Sequence, residues 1–343
     1  MRLNGGNLMA AIKDVARLAG VSASAVSKYF KMPDKMREET RRKIAAAVAE
    51  LNFQPNQLAR SLRNGRSGLI ALTVPDILNP YFSQYTRLMQ QCCNDVGFVP
   101  LLVQVSEEKE QQKAVQLLNS GLVDGVICSD GGPFVQMALK SGLQIPLVQI
   151  TPDADALVKS TVVIDLAQGM ALLCAHLAQQ GVKTAGFIGT EGDFSAEKKL
   201  TTVRQYCACH EMEIPDEAVV MAPLNAQVSG YVSGYDACRQ LLRQTNALPD
   251  ALICSSDIWM IGALRCLTEK GIRVPADILI TGHDDTELAE MSNPSVTSVR
   301  IPLEQLCPSA VELLHQMLDG GEARSVTIPT GLTIRASTQK VNS

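Results

Sequence analysis

No stretch of this 343-residue chain approaches the roughly 20 consecutive apolar residues that a membrane-spanning helix needs. Met1 to Ala11 hold one Arg and no apolar run, so no secretory signal is expected there. Met9 stands as an alternative start, and residues 1–8 are expected to be disordered. The chain reads as cytoplasmic. Its ten Cys form no pair of C-x-x-C motifs, which excludes the common zinc templates. Cys207-Ala-Cys209-His210 is the one cluster with metal-ligand types, and it reads as thiols on a packed helix in a reducing compartment. No metal and no cofactor is expected. No G-x-G-x-x-G, G-x-x-x-x-G-K-[ST] or G-x-S-x-G follows an apolar strand, and the four His are dispersed. Enzyme chemistry thus lacks its usual signatures.

Net charge over the whole chain is also small, −4 with a pI near 5.7. The distribution is not even. Residues 1–66 carry 13 Lys/Arg against 5 Asp/Glu, which leaves 18 against 30 for the remainder. A basic end of this size fits a polyanionic partner. It is no solvated tail, because it has helical apolar periodicity.

Within Ile12–Ala19, the apolar Ile12, Val15, Ala16 and Ala19 recur at i, i+3, i+4 and i+7. Gly20 supplies the freedom a sharp turn needs. Ser22 is a suitable N-cap for a second helix over Ser22–Phe30. Val26 and Phe30 face inward there, which leaves Ala23, Ser24, Ser27 and Lys28 outward at the helix start. A recognition helix puts such residues into the major groove. Lys28 can bond a guanine edge, Ser24 either base type, and Ala23 a thymine methyl. Pro33 ends this segment. A third helix is expected over about Glu38–Leu51, with Ile44, Ala47, Val48 and Leu51 on one face and Arg41, Arg42 and Lys43 free for phosphate or solvent.

Asp14-Val-Ala-x-x-Ala-Gly-Val-Ser-x-x-x-Val-Ser-Lys28, followed by Ala49-Glu-Leu-Asn-Phe-Gln-Pro-Asn56, resembles the lactose-repressor (LacI/GalR) family of bacterial transcription regulators. The resemblance covers the chain from residue 11. It implies a small helix-turn-helix domain over 9–55, a hinge over 56–67 and an effector-binding and dimerisation domain over 68–340. The implied DNA contacts are Lys13, Ser22, Ala23, Ser24, Ser27, Lys28, Asn56, Gln57, Ala59 and Leu62. In the family the hinge forms a short helix on operator DNA, and its leucine wedges into the minor groove. Leu62 matches that leucine, and Ala59 matches the small residue at which two hinge helices meet. Apolar wedges of this kind unstack a base step and kink the duplex. Arg60, Arg63 and Arg66 flank Leu62 and suit backbone contacts. Four positions depart from the pattern: Ala25 for Thr, Lys28 for Arg, Lys31 for Asn, and Arg37 for a Ser or Thr cap. Operator binding survives these changes as an expectation; the choice of bases does not.

From Gly68 onward, apolar strands alternate with helices. Strands are expected at Leu69–Val74, Val99–Val103, Gly125–Cys128, Pro146–Ile150, Thr161–Ile164, Thr184–Ile188, Ala218–Met221, Ala251–Cys254 and Ile278–Thr281, with helices such as Tyr81–Val96 and Glu108–Ser120 between them. Such alternation argues parallel sheets with right-handed crossovers. About ten strands suggest two sheets. The resemblance implies an α/β periplasmic-binding-protein-like domain of two Rossmann-like subdomains. One spans about 68–163 and 293–322, the other about 164–292 and 323–340. The three crossings are placed near Ile164, near Asn293 and near Gly321–Val326.

Ligands of such sheets bind beyond the carboxyl ends of strands. Asp76, Asn79, Tyr81 and Phe82 follow the first strand and match the family's Pro-Asp-x-x-Asn-Pro-Phe-Phe run. Asp130 follows the third. Ser255-Ser256-Asp257 follows Ile253, with Ser256 where an Asn or Asp is usual. Gly282-His283-Asp284-Asp285 matches the Gly-Phe/Tyr-Asp-Asp element, whose first Asp bonds effector hydroxyls, so Asp284 is the firmest effector candidate. The family's effector-gripping Arg falls by register on Lys199, within a segment opening at Ser195. Arg204 is the alternative if the loop is longer by a turn. Either keeps a cation; Lys199 loses the fork geometry.

The expected function is a sequence-specific regulator, most simply a repressor, that acts as a homodimer on pseudo-palindromic operator DNA under control of a sugar, sugar acid or related metabolite. The chain stops soon after its last strand, without a leucine-heptad helix, so a dimer and no tetramer is expected. An enzyme built on His283 beside Asp284 would show turnover of a cleft ligand. A sugar-binding protein without DNA function would show no salt-sensitive preference for a palindromic duplex.

Overall fold

The structure, a computed structural model, describes residues 10–53, 66–129, 132–152, 158–223 and 229–339. The chain divides into two compact units, 1–67 and 68–343.

In the first unit α1 (Ile12–Ala19), α2 (Ala23–Lys31) and α3 (Glu38–Glu50) enclose a small core. Val15, Val26 and Ile44 are fully shielded, with Phe53 packed beside them. Gly20 closes α1 in the left-handed region, at φ +63°, where a side chain would be strained. Met32 follows α2, and Pro33–Lys35 form one 3-10 turn, because proline cannot continue the helix.

In the second unit, one lobe begins with β1 (Leu69–Val74), α4 (Pro80–Asp95), β2 (Val99–Gln104), α5 (Glu108–Asn119), β3 (Gly125–Cys128), α6 (Pro133–Lys140), β4 (Leu147–Thr151) and β5 (Thr161–Asp165). The other contains α7 (Leu166–Gln179), β6 (Ala185–Glu191), α8 (Phe194–Cys209), β7 (Val219–Pro223), α9 (Gly230–Gln244), β8 (Ala251–Cys254), α10 (Asp257–Glu269), β9 (Leu279–Asp284), α11 (Glu287–Met291) and β10 (Thr297–Arg300). Then α12 (Leu303–Leu318) and β11 (Ser325–Pro329) return to the first lobe, and β12 (Gly331–Thr333) to the second.

The sheets run β11-β5-β4-β3-β1-β2 and β12-β10-β9-β8-β6-β7. Every pairing is parallel except β10 with β12. Each sheet is buried on both faces, which is why its central strands read as continuous apolar runs. Ile70, Leu72 and Val148 pack toward α4 and α12, whereas Ala71, Val126 and Leu147 pack toward α5 and α6. The second sheet repeats this with Leu252 and Ile280 toward α9 and α10, and Leu279 and Ile253 toward α7 and α8.

Three strands escape the apolar pattern. β10 reads Thr-Ser-Val-Arg, β11 sets exposed Ser325, Thr327 and Pro329 beside half-buried Val326 and buried Ile328 at a sheet edge, and β12 is three half-buried residues. The buried hydroxyls of β10 are satisfied from afar: Thr297 Oγ1 donates to the Arg335 carbonyl at 3.2 Å and accepts from the Arg335 N–H at 2.8 Å, and Ser298 donates to Asp257 at 2.7 Å. Two crossings also lie elsewhere than expected. β10 belongs to the second sheet, so the second crossing is at Ile301–Pro302 rather than near Asn293. β11 belongs to the first sheet and β12 to the second, so the third is at Thr330 rather than within 321–326. Sheet membership, which fixes both, depends on pairing across the fold. Thr330 Oγ1 donates to the Asp165 carbonyl at 2.6 Å, which joins the first and third crossings.

Candidate functional site: the recognition helix and the interlobe cleft

Ser22 caps α2, its hydroxyl accepting from the Ala25 N–H at 3.2 Å and pairing with the Ser24 hydroxyl at 2.8 Å. Ala23, Ser24 and Lys28 are exposed, Ser27 is half-buried, and Lys13 is exposed on α1. These residues share the start of α2 and its surroundings, with their apolar neighbours turned inward. The cations of α3 are exposed but not free as expected. Arg42 pairs with Glu38 at 2.5 Å, Lys43 with Glu39 at 2.8 Å, and Arg41 with Asp34 at 3.9 Å. Exposed pairs of this kind are weak, so phosphate can displace them. Asn56, Gln57, Ala59 and Leu62 lie outside the described residues, as does Asp130.

In the second unit, strand order reverses between β1 and β3, and again between β6 and β8. Segments leaving neighbouring strands diverge at such points and leave a crevice. Both crevices open onto one cavity of about 390 Å³ between the lobes. Asp76, Asn79, Tyr81 and Phe82 line it from the first lobe, and Ser195, Lys199, Ser256 and Asp284 from the second. The structure thus gathers residues scattered over more than 200 positions of sequence.

Some of these side chains have local structural tasks. Asp76 accepts from the Leu78 N–H at 2.8 Å, and Asn79 caps α4 through the Tyr81 N–H at 3.1 Å. The Ser195 N–H donates to Asp193, which caps α8. Ser256 occupies the N-cap position of α10 with no side-chain bond to that helix. Tyr81 is buried, and the nearby Asp284 charge adds to burial in pushing its phenol upward.

The sequence left Lys199 and Arg204 as alternatives, and the fold separates them. Lys199 is buried, with Nζ donating to the Ser255 carbonyl at 2.8 Å. Arg204 points away and pairs with Asp216 at 2.6 Å. One further turn of α8 carries a side chain off the cleft.

Asp284 has φ +105°, rare for a residue with a side chain. Its Oδ1 lies 3.0 Å from His283 Nδ1. Burial raises its carboxyl, with Asp193 adding, and Lys199 opposes the shift. His283 is buried, and burial together with Lys199 holds its imidazole well below the usual range, hence neutral. Behind them Asp257 is buried. It accepts from Thr286 N–H at 2.7 Å, Thr286 Oγ1 at 2.9 Å and Ser298 Oγ at 2.7 Å. Burial and the Asp284 charge raise its carboxyl too. A Cβ on Gly282 would sit 2.1 Å from Asp257 Oδ1, so glycine is required there.

Asp193, Phe194 and Trp259 also line the cleft and were not singled out from the sequence. Asp193 and Phe194 follow β6, so the strand-end rule already pointed at them. Trp259 lies inside α10 and carried no such signal. The Cys207 thiol is buried 3.7 Å from Cys174 while Cys209 is exposed, so the two face different surroundings. Among the described residues no group of three metal-ligand types comes together.

Two lobes joined by three crossings around a cleft define a periplasmic-binding-protein-like domain, here in one chain with a helix-turn-helix. Residues 11–56 match the family described as "Bacterial regulatory proteins, lacI family", and residues 174–338 match "Periplasmic binding protein-like domain". The chain is 30% identical to the ribose operon repressor of Halalkalibacterium halodurans over 96% of this chain and 98% of that one. It is 29% identical to catabolite control protein A of Staphylococcus epidermidis, over 96% and 99%. A lac repressor dimer bound to operator and an anti-inducer shares the fold at TM-score 0.83 with 24% identity, over 96% and 99% of the two chains. A CelR–cellobiose complex does so at TM-score 0.70 and 26% identity. The chain belongs to the lacI family of bacterial regulatory proteins. It is a DNA-binding transcriptional regulator and not an enzyme. Among the described residues no helix is long and apolar enough to cross a membrane.

Proposed function

We propose that this regulator is a cytoplasmic repressor that binds a pseudo-palindromic operator as a homodimer, through Lys13, Ser22, Ala23, Ser24, Ser27 and Lys28 of each copy and a hinge wedge at Leu62. A two-fold protein matches two half-sites. A sugar-like effector in the interlobe cleft closes one lobe on the other and changes operator affinity. Ligand and DNA then alter each other's affinity by one common factor. The observation that carries this reading is the convergence of both switch points on one cavity bordered by Asp284, whose side chain is 8% exposed. A carboxylate with neighbouring hydroxyl and amide groups suits a polyol, whose hydroxyls both donate and accept.

The test combines DNA binding with two variants. Leu62→Ala should weaken specific operator binding and leave effector binding unchanged. Asp284→Ala should retain operator binding and lose the effector response. Equal operator affinity in the first variant, or a normal ligand response in the second, removes the corresponding residue from its role.

A further inference from the structure

The cleft is short of positive charge. Asp76 borders it from the first lobe and Glu191, Asp193 and Asp284 from the second, against Lys199 as the one Lys or Arg among the described lining residues. The Lys199 ammonium is buried and directed at the Ser255 carbonyl. His283 adds no charge, because burial together with Lys199 holds its ring neutral. Asp193 caps α8, accepting from the Ser195 N–H at 2.9 Å, and its charge adds to burial in raising the Asp284 carboxyl. Lys199 opposes that shift without cancelling it. Asp257, behind Asp284, is raised by burial and by the Asp284 charge. Acids that disfavour one another in this way are stabilised when a cation is brought between them. The same cavity is bordered by the aromatic rings of Tyr81, Phe82, Phe194 and Trp259. Aromatic faces attract an ammonium and cover the carbon face of a sugar ring. The space of about 390 Å³ lies at the lower end of the range for ligand pockets, about 300–1,000 Å³, which suits a small molecule.

We propose that the effector is a cation: a small hydroxylated amine, of which an amino sugar is the simplest kind, whose ammonium sits between Asp193 and Asp284, with Asp193 as the residue that selects it. The inference rests on the cleft being the effector site. An ammonium brings three N–H donors and the missing positive charge to the two acids at once. A neutral polyol supplies hydroxyls and leaves the acids uncompensated. An anion adds a like charge to a wall that already repels it.

The experiment is calorimetry on the full chain at about pH 7, where a primary amine of this kind is largely charged. Glucosamine, galactosamine, mannosamine and glucamine are each set against the compound with a hydroxyl in place of the amine: glucose, galactose, mannose and sorbitol. At least one amine is expected to bind about tenfold or more tightly than its hydroxyl counterpart. Binding by none of the amines, or equal affinity within every pair, overturns the proposal. Asp193→Asn is the matching variant, because asparagine caps a helix as well as aspartate does and only the charge is lost. It should weaken binding of the amine about tenfold and leave the hydroxyl counterpart where it was. Unchanged amine affinity in Asp193→Asn also overturns the proposal. Asp284→Ala separates the two levels of failure. A neutral sugar that binds wild type and not Asp284→Ala, with no amine bound, sinks the cation and leaves the cleft in place. An amine that binds wild type, Asp193→Asn and Asp284→Ala equally well sits elsewhere, and the cleft reading itself falls.

Discussion

Lys199 Nζ lies 2.8 Å from the carbonyl oxygen of Ser255, so the ammonium of the cleft wall ties α8 to the turn between β8 and α10. The bond joins the two segments that diverge at the switch point of the second sheet. Lys199→Met removes the donor and leaves a buried carbonyl unpaired, which should cost about 1–3 kcal/mol. Arg204→Ala breaks only the exposed pair with Asp216 and should cost about 0–1 kcal/mol. Urea midpoints at constant slope report both. Equal losses in the two variants would contradict the assignment of the buried role to Lys199.

α9 and α10 touch backbone to backbone through glycine. A Cβ at Gly234 would sit 2.1 Å from the Trp259 carbonyl oxygen, and one at Gly262 would sit 2.0 Å from that of Tyr231. Alanine normally improves a helix interior by about 1 kcal/mol over glycine. Here the contact is with main chain, which cannot swing aside, so Gly234→Ala and Gly262→Ala should each destabilise by about 1–3 kcal/mol or more. Thermal unfolding decides the sign, and a raised Tm in either variant refutes the close approach.

The raised carboxyl of Asp284 has a pH consequence. Its acid form persists in the fold at pH values where the unfolded chain has already released the proton. The folded state therefore loses stability as pH rises from the ordinary Asp range, near about 4, towards the raised value of about 7. His283 and His176, both lowered by burial, act with the opposite sign below the usual His range. His176 titrates alike in wild type and variant, so a comparison removes it; Asp257, raised in part by the Asp284 charge, is raised less in the variant and moves the comparison in the same direction. Asp284→Asn should gain stability relative to wild type as pH rises from about 5 to about 8, read by urea midpoints. An offset that does not vary with pH would place Asp284 in a solvated setting.

At the DNA unit, Ser22→Ala removes the hydroxyl that accepts from Ala25 and should cost about 1 kcal/mol of that unit's stability. Lys28→Ala leaves the core untouched because the side chain is exposed. It should weaken binding to duplex DNA, and a phosphate contact would lower the salt slope by about 0.9. An unchanged slope with lost base preference would move Lys28 from the backbone to a base edge.

Much of this architecture was legible residue by residue. The i, i+3, i+4 pattern of α1, the Ser22 cap and the Pro33 stop are local, and each appears where the pattern puts it. The central strands were legible because burial on both faces demands unbroken apolar runs. β10 was not, because its buried polar groups are satisfied by distant partners such as Ser337 and Asp257, and β11 and β12 were not, because they are short edge strands without a buried apolar run. The cleft was partly legible: Asp76 and Asp284 follow strands, and so do Asp193 and Phe194. Asp257 stood in a strand-end segment like the other candidates, and only the fold brings Ser298 and Thr286 to it and buries it.

The sequence by itself determined the helix-turn-helix, the two series of parallel strands and the positions where ligand groups could stand, because propensity, capping and periodicity act within a few residues. Tertiary structure alone decided which lobe owns β10 and β11, that Lys199 and not Arg204 enters the cleft wall, and that His283 is buried and neutral. Each of these depends on burial or on neighbours far away in sequence. A carboxylate, an ammonium or an imidazole has no fixed chemistry until the fold sets what surrounds it.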